Sequence, residues 1–270
     1  MSIAAIRLVV SDVDGTLIGP DRSLAPSTVA AAARLRAAGI PLALVSSRPP
    51  RGLDMIAHAL GLDAPRAGYN GAVIEDAAGT VIEQHCIAAQ VARAVVEMLQ
   101  AARVDVWVFA RDAWLLTDDR GPYVRHESEA VAMRWQQVPD LSAYLDTAHK
   151  VMASSADHAR IASLERELQK RVGDRAAVHR SQPYYLDITH PDADKGKAAG
   201  ALARLLDVPL GAMACLGDMS NDLPMFAIAG LAIAMGNASD AVKRAAHATT
   251  LANDAGGWGA AIDRYVLPAH

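Results

Sequence analysis

Cysteine is almost missing from this chain: 270 residues carry two, Cys86 and Cys215, far apart and in unrelated contexts. Such scarcity excludes a disulfide scaffold and a thiolate metal site, and the pair reads as reduced, buried thiols of a cytoplasmic protein. Neither sign of charge dominates. A net charge of -4 and a pI near 6.1 give no electrostatic reason for a nucleic-acid partner, and no dense Lys/Arg run supplies one locally. Long apolar runs are absent too. None approaches membrane-spanning length, and the stretch Met1 to Val10, followed at once by acidic residues, is too short for a secretion signal. The expectation is a soluble, cytoplasmic protein with no membrane and no nucleic-acid partner, either monomer or homodimer.

What the chain does have is apolar material: 52% hydrophobic against 21% charged, ample for a sizeable core. Ile6 to Val10 is a continuous apolar run ended by Ser11-Asp12, the pattern of a strand buried on both faces. Pro26-Ser27-Thr28 then opens a helix, with Ser27 as its cap, and Gly39 closes it. Leu42 to Val45 is a second buried run, ended by Ser46-Ser47-Arg48-Pro49. The last third repeats the alternation, with a helix over about Lys195 to Leu206 and strands at Ala212 to Leu216 and Leu231 to Ala234. This alternation predicts an α/β fold, a doubly wound parallel sheet of the Rossmann-like kind.

The middle of the chain reads differently. Strand-like segments at Thr80 to Glu83, Asp105 to Ala110, Trp114 to Thr117, Lys150 to Ala153 and Tyr184 to Thr189 surround helical patterns at about Val91 to Ala102 and His158 to Val172. Of the chain's two Phe, four Trp and six Tyr, eight fall here. An antiparallel sheet with helices on one face fits, an α+β insert. The predicted division is a discontinuous main domain, 1–84 and 189–270, and an insert over 85–188.

Three apolar runs end in polar loops at one edge of the predicted sheet: Asp12-Val13-Asp14-Gly15-Thr16, Ser46-Ser47-Arg48, and Gly217-Asp218-Met219-Ser220-Asn221-Asp222. Ligands of open α/β sheets bind beyond the carboxyl ends of the strands. Asp12 and Asp14, two residues apart, can face one reacting group, where an ionised carboxylate attacks phosphorus unaided and a crowded neighbour carries a proton. Asp12 with Asp218 would give Mg²⁺ the hard oxygen ligands it prefers. Lys195 and Lys197 oppose the dipole of the helix they open, which costs roughly 0.3–1 kcal/mol each; a bound anion would offset that. Each motif alone has a plain reading, as an acidic turn, a capped loop or a solvated lysine.

Taken in order, Asp12-Val13-Asp14-Gly15-Thr16-Leu17, Ser46, Lys195 and Gly217 to Asp222 resemble the four motifs of the haloacid-dehalogenase-like hydrolase superfamily. Gly68-Tyr69-Asn70-Gly71-Ala72, the α+β insert and Asp194-Lys195-Gly196-Lys197-Ala198 resemble its Cof-type phosphatase branch, which carries a large α+β cap domain. The resemblance spans the whole chain. It implies a Mg²⁺-dependent phosphatase acting on small phosphate esters, with Asp12 as nucleophile and metal ligand. It also implies Asp14 as acid/base and carbonyl donor to the metal, Ser46 and Lys195 on the phosphoryl group, Asp218 and Asp222 at the metal, and Asn221 beside them. Asn70, Ser47 and Arg48 are the remaining phosphate or substrate candidates. Ser46-Ser47-Arg48 stands where Thr-Gly-Arg is commoner, and no cap signature points to one substrate. A phosphomutase of the phosphomannomutase type would share these parts; dehalogenase chemistry fits less well, because Asp14 and Asp218 are both present. A catalytically silent binding protein is the rival from another class.

Overall fold

The computed structural model describes residues 5–110 and 112–267; Met1–Ala4, part of the stretch read above for a secretion signal, and the extreme C-terminus of the predicted main domain lie outside them. Among the described residues no helix is long and apolar enough to cross a membrane.

Two sheets organise the chain. The first draws on β1 (Leu8–Ser11), β2 (Leu42–Val45), β3 (Arg66–Gly68), β4 (Val73–Glu75) and β5 (Val81–Gln84). The second comprises β6 (Asp105–Ala110), β7 (Ala113–Leu116), β8 (Trp135–Gln137), β9 (Ala148–Ser154), β10 (Ala177–Gln182) and β11 (Tyr185–Thr189). β12 (Met213–Gly217), β13 (Leu231–Ala234) and β14 (Ala248–Thr249) return to the first sheet. Its order is β14-β13-β12-β1-β2-β3-β4-β5, parallel from β14 to β3 and antiparallel beyond. That antiparallel extension departs from an all-parallel expectation: β3, the tight turn at Tyr69–Gly71 and β4 form a hairpin.

Helices cover both faces of the first sheet, as its uninterrupted apolar strands require. On one face Leu8, Val10, Cys215 and Met213 meet Ala198 and Leu202 of α6 (Lys195–Leu205) and Phe226 of α7 (Leu223–Ile228). On the other, Val9, Leu44 and Leu216 meet Leu35 of α1 (Pro26–Ala37) and Leu53 and Ile56 of α2 (Arg51–Leu60). Ser27 does not cap α1. The N-cap is Ala25, without a side-chain bond, and Pro26 stands at the first helical position, where its missing N–H has no intrahelical partner to lose. The thiols also differ from expectation: Cys215 is buried, but Cys86 is only half-buried.

The second sheet runs β10-β11-β9-β6-β7-β8, antiparallel except for β7 beside β8. One face packs on α3 (Ala89–Ala101) and α5 (His158–Val172). Its aromatic face, with Trp107, Phe109 and Trp114 fully buried, covers Tyr69 and Val73 of the first sheet's hairpin and α4 (Val124–Val131). Helices therefore lie on both faces, not one. The sheet ends at Thr189, one residue into the segment given to the main domain.

Candidate functional site

Asp12 follows β1 directly, and the strand registers place it between the ends of β12 and β2: Ser11 is level with Leu216 on one side and Leu44 on the other. Its amide donates to Leu216 O at 3.0 Å. Lys195, the first residue of α6, is itself buried and lies with its Nζ 2.6 Å from Asp12 Oδ1 and 2.7 Å from Asp222 Oδ1. The cost of a cation at a helix N-terminus is therefore offset by two carboxylates. Burial alone would lower the Lys195 pKa, but Asp12 and Asp222 together raise it, so the ammonium stays charged.

The other carboxylates are held just as closely. Asp222 Oδ2 accepts the amides of Asp218 and Met219, each at 2.9 Å. With Lys195 on Oδ1, both its oxygens already have partners, and it shapes the loop that presents Asp218. Asp218 accepts from Thr16 Oγ1 at 3.0 Å and from Asn237 Nδ2 at 3.3 Å; Asn237 also donates to Gly15 O at 2.8 Å. Two glycines make this approach possible. A Cβ on Gly15, whose φ is +78°, would stand 2.4 Å from Asp218 Oδ2, and one on Gly217 would stand 2.5 Å from the Asp222 carboxylate.

Asp12, Asp218 and Asp222 each place an oxygen within 4.8 Å of the others. Burial pushes Asp12 well up, with Asp222 and Asp218 adding to it against Lys195; burial and Asp222 push Asp218 up to about 6. Converging hard oxygens that resist ionising together are what a divalent cation relieves, so the donor set fits Mg²⁺.

Asp14 lies on the same cavity, a space of about 410 Å³ whose wall includes Asp12, Lys195, Asp218 and Asn221. Its carboxylate is turned toward Arg48, which donates from Nη2 to Oδ1 at 2.6 Å and from Nε to Oδ2 at 2.7 Å. Arg48 is buried, and its Nη1 crosses to Ala130 O in α4 at 2.6 Å. Ser46 is buried beside it, its Oγ accepting the Arg48 amide at 3.2 Å. Ser47 turns its carbonyl to Lys150 Nζ at 3.2 Å. Asn70 is buried and not on the cavity wall, accepting from Asn221 Nδ2 at 3.3 Å. Tyr69 and Asn70 both have positive φ, 51° and 58°, which costs on the order of 1–3 kcal/mol each for a non-glycine residue.

Thr16, named only as part of the first motif, and Asn237 hold positions that the sequence reading did not assign. Asn237 follows β13 at the same carboxyl edge as the other loops, so the edge argument reaches it. The second sheet's contribution carried no signal: Glu127, Lys150, Tyr184 and Tyr185 also line the cavity. Lys150 and Asp187 form a buried pair at 3.6 Å, and burial raises Glu127 with Lys150 opposing.

A family model described as haloacid dehalogenase-like hydrolase matches residues 9–262. The chain is 29% identical to a pyridoxal phosphate phosphatase of Escherichia coli (strain K12) over 250 residues, 89% of this chain and 92% of the relative. It is 30% identical to an HMP-PP phosphatase of Cronobacter sakazakii over 234 residues, 86% of this chain and 85% of the relative. Among solved structures, a haloacid dehalogenase-like hydrolase from Bacteroides thetaiotaomicron matches with a TM-score of 0.87 at 27% identity, over 96% of this chain and 99% of that one.

Proposed function

The chain belongs to the haloacid dehalogenase-like hydrolase family, and from that premise we propose a Mg²⁺-dependent phosphatase of small phosphomonoesters working through an aspartyl-phosphate on Asp12. The observation that carries the reading is the buried Asp12 carboxylate, 2.6 Å from Lys195 and on one cavity with Asp14 and Asp218.

In this reading Asp12 attacks phosphorus while Lys195 and Ser46 hold the phosphoryl oxygens. Asp12 and Asp218 would hold Mg²⁺, with the Asp14 carbonyl, and Asp222 and Asn221 would support them. The ion would supply charge neutralisation, so that an anionic nucleophile and an anionic ester could approach. Asp14, once free of Arg48 and protonated from solvent, gives that proton to the leaving oxygen and then takes one from the water that opens the acyl-phosphate. The core, 1–84 and 189–270, addresses the phosphoryl group. The cap, 85–188, faces the leaving group with Glu127, Lys150 and Tyr184, and shields the site from water.

The cavity suits hexose or pentose phosphates, with Lys150 and Glu127 offering a donor and an acceptor to hydroxyls. A second substrate class, flat heteroaromatic phosphates, is favoured by Tyr184 on the cavity wall, stacked on Tyr123 at 4.3 Å, and by the pyridoxal phosphate phosphatase relative. The test is a panel of phosphate esters with Mg²⁺, scored by inorganic phosphate release and repeated after chelation. Release that stops on chelation is expected, with sugar phosphates ranked above pyridoxal phosphate. Isomerised sugar phosphate without free phosphate would identify a mutase, and full activity after exhaustive chelation would remove the metal from the reaction.

A further inference from the structure

His85 and His190 stand outside the site described above. His85 follows β5 and His190 follows β11, so they lie on the two passages by which the chain enters and leaves the second sheet. Their rings face each other, with centroids 5.1 Å apart and planes 20° from parallel. Asp192 joins them: one ligating atom from each of the three lies within 4.8 Å of the others.

Hydrogen bonds around the rings define which atoms an ion could take. The Asp192 amide donates to His190 Nδ1 at 3.0 Å, so the lone pair of the neutral ring lies on Nδ1 and its proton on Nε2; an ion bound at Nδ1 takes that lone pair in place of the amide. The same Nδ1 is 3.7 Å from Asp192 Oδ2. Two ligands on one tetrahedral zinc-class ion stand roughly 3.3–3.5 Å apart, from bond lengths of about 2.0–2.2 Å, so a small inward shift suffices. Glu83 Oε1 is 3.0 Å from His85 Nε2, leaving Nδ1 of that ring unclaimed by Glu83. A carboxylate behind an imidazole fixes its tautomer and strengthens it as a ligand. Lys197 engages Asp192 Oδ1 and leaves Oδ2 to the cluster. A cavity of about 860 Å³ with Glu83, His85, Asp192 and Lys197 on its wall gives an ion a way in.

We propose that His85, His190 and Asp192 form a binding site for a divalent transition-metal ion of the zinc class, separate from the Mg²⁺ position. Two imidazoles and one carboxylate, with water as a fourth ligand, suit such an ion and not Mg²⁺, which prefers oxygen throughout. Because the histidines lie on opposite passages, the bound ion ties together the two connections by which the described chain passes between the sheets.

The test is isothermal titration with Zn²⁺ in a large excess of Mg²⁺, on the wild-type chain, His85→Gln, His190→Gln and the double variant, with thermal unfolding measured alongside. Both histidine side chains are partly exposed, 29% and 27%, so the substitutions leave the core intact, and Mg²⁺-supported hydrolysis of an aryl phosphate verifies that. The wild type should bind one more zinc equivalent than the double variant, and each single variant should bind it about tenfold or more weakly. Zn²⁺ should raise the unfolding midpoint of the wild type more than that of the variants. Equal zinc stoichiometry and equal midpoint shifts across the four proteins would overturn the site.

Discussion

Lys195, Asp12 and Asp222 form a charged triad removed from water, one ammonium between two carboxylates, so deleting Lys195 leaves both buried carboxylates without a counter-charge. Lys195→Ala should therefore cost about 3–5 kcal/mol of unfolding free energy, read by urea denaturation, besides abolishing turnover. Asp12→Asn is different in kind, because its amide oxygen still accepts from Lys195. Here the fold should survive while turnover drops below about a tenth of wild type, more than one 1.4 kcal/mol step in barrier; higher retained activity would remove Asp12 as nucleophile. Asp218 leads to a pH dependence. Without metal its pKa in the folded chain is raised from 3.8 to about 6, so the folded state holds a proton that the unfolded state has released between those values. The stabilisation is present below pH 3.8 and lost as pH rises through 6, up to about 3 kcal/mol. Chelated wild-type protein should thus lose stability from pH 5 to 7.5 relative to Asp218→Asn, and added Mg²⁺ should reverse the loss. A parallel decline in both proteins would show that Asp218 is not the titrating group.

At the scale of elements, Arg48 links the loop after β2 to α4 and orients Asp14 on the way. Lysine in its place keeps the charge but cannot grip both Asp14 oxygens while reaching Ala130. Arg48→Lys should lower kcat for alkyl phosphates by about tenfold, with a smaller loss for an aryl phosphate, whose leaving oxygen scarcely needs a proton. Equal losses would separate Arg48 from Asp14. This contact also marks where sequence reading stops. The strands ending in Asp12, Ser46 and Asp218 were legible because buried parallel strands are unbroken apolar runs and their polar ends share one edge. Asp105–Ala110, Leu42–Val45, Leu231–Ala234 and the helix His158–Val172 match their predicted spans. α2 carries a helical pattern in Leu53, Ile56, Ala57 and Leu60, closed by Gly61 in the left-handed region, that the strand-helix alternation passed over. α4 is eight residues long, lacks a side-chain cap, and buries little besides Val124, Glu127 and Val131. Its position over the cavity depends on a partner surface that no local pattern encodes. The same holds for Lys150, whose neighbours come from both sheets.

Over the whole molecule, the proposed division of labour between core and cap has a direct test. Replacing residues 85–188 with a short linker should leave slow hydrolysis of a small aryl phosphate but erase ranking among natural esters. An unchanged ranking in a folded, shortened protein would return selectivity to the core loops. The central strand pairing has a further consequence, in time. β1 pairs with β12, Leu8 level with Met213, across the entire insert, and Thr16 meets Asp218 over 202 residues of sequence. Contacts that close loops of this length form slowly, whereas the β6–β7 hairpin joins near neighbours and the rest of its sheet closes much shorter loops, such as Val108 to Val151. On refolding, fluorescence from Trp107, Trp114 and Trp135 should therefore recover first. Trp258, whose Nε1 donates to Ser11 beside Asp12 at 2.9 Å, should follow together with enzymatic activity, making the site among the last parts of the chain to assemble.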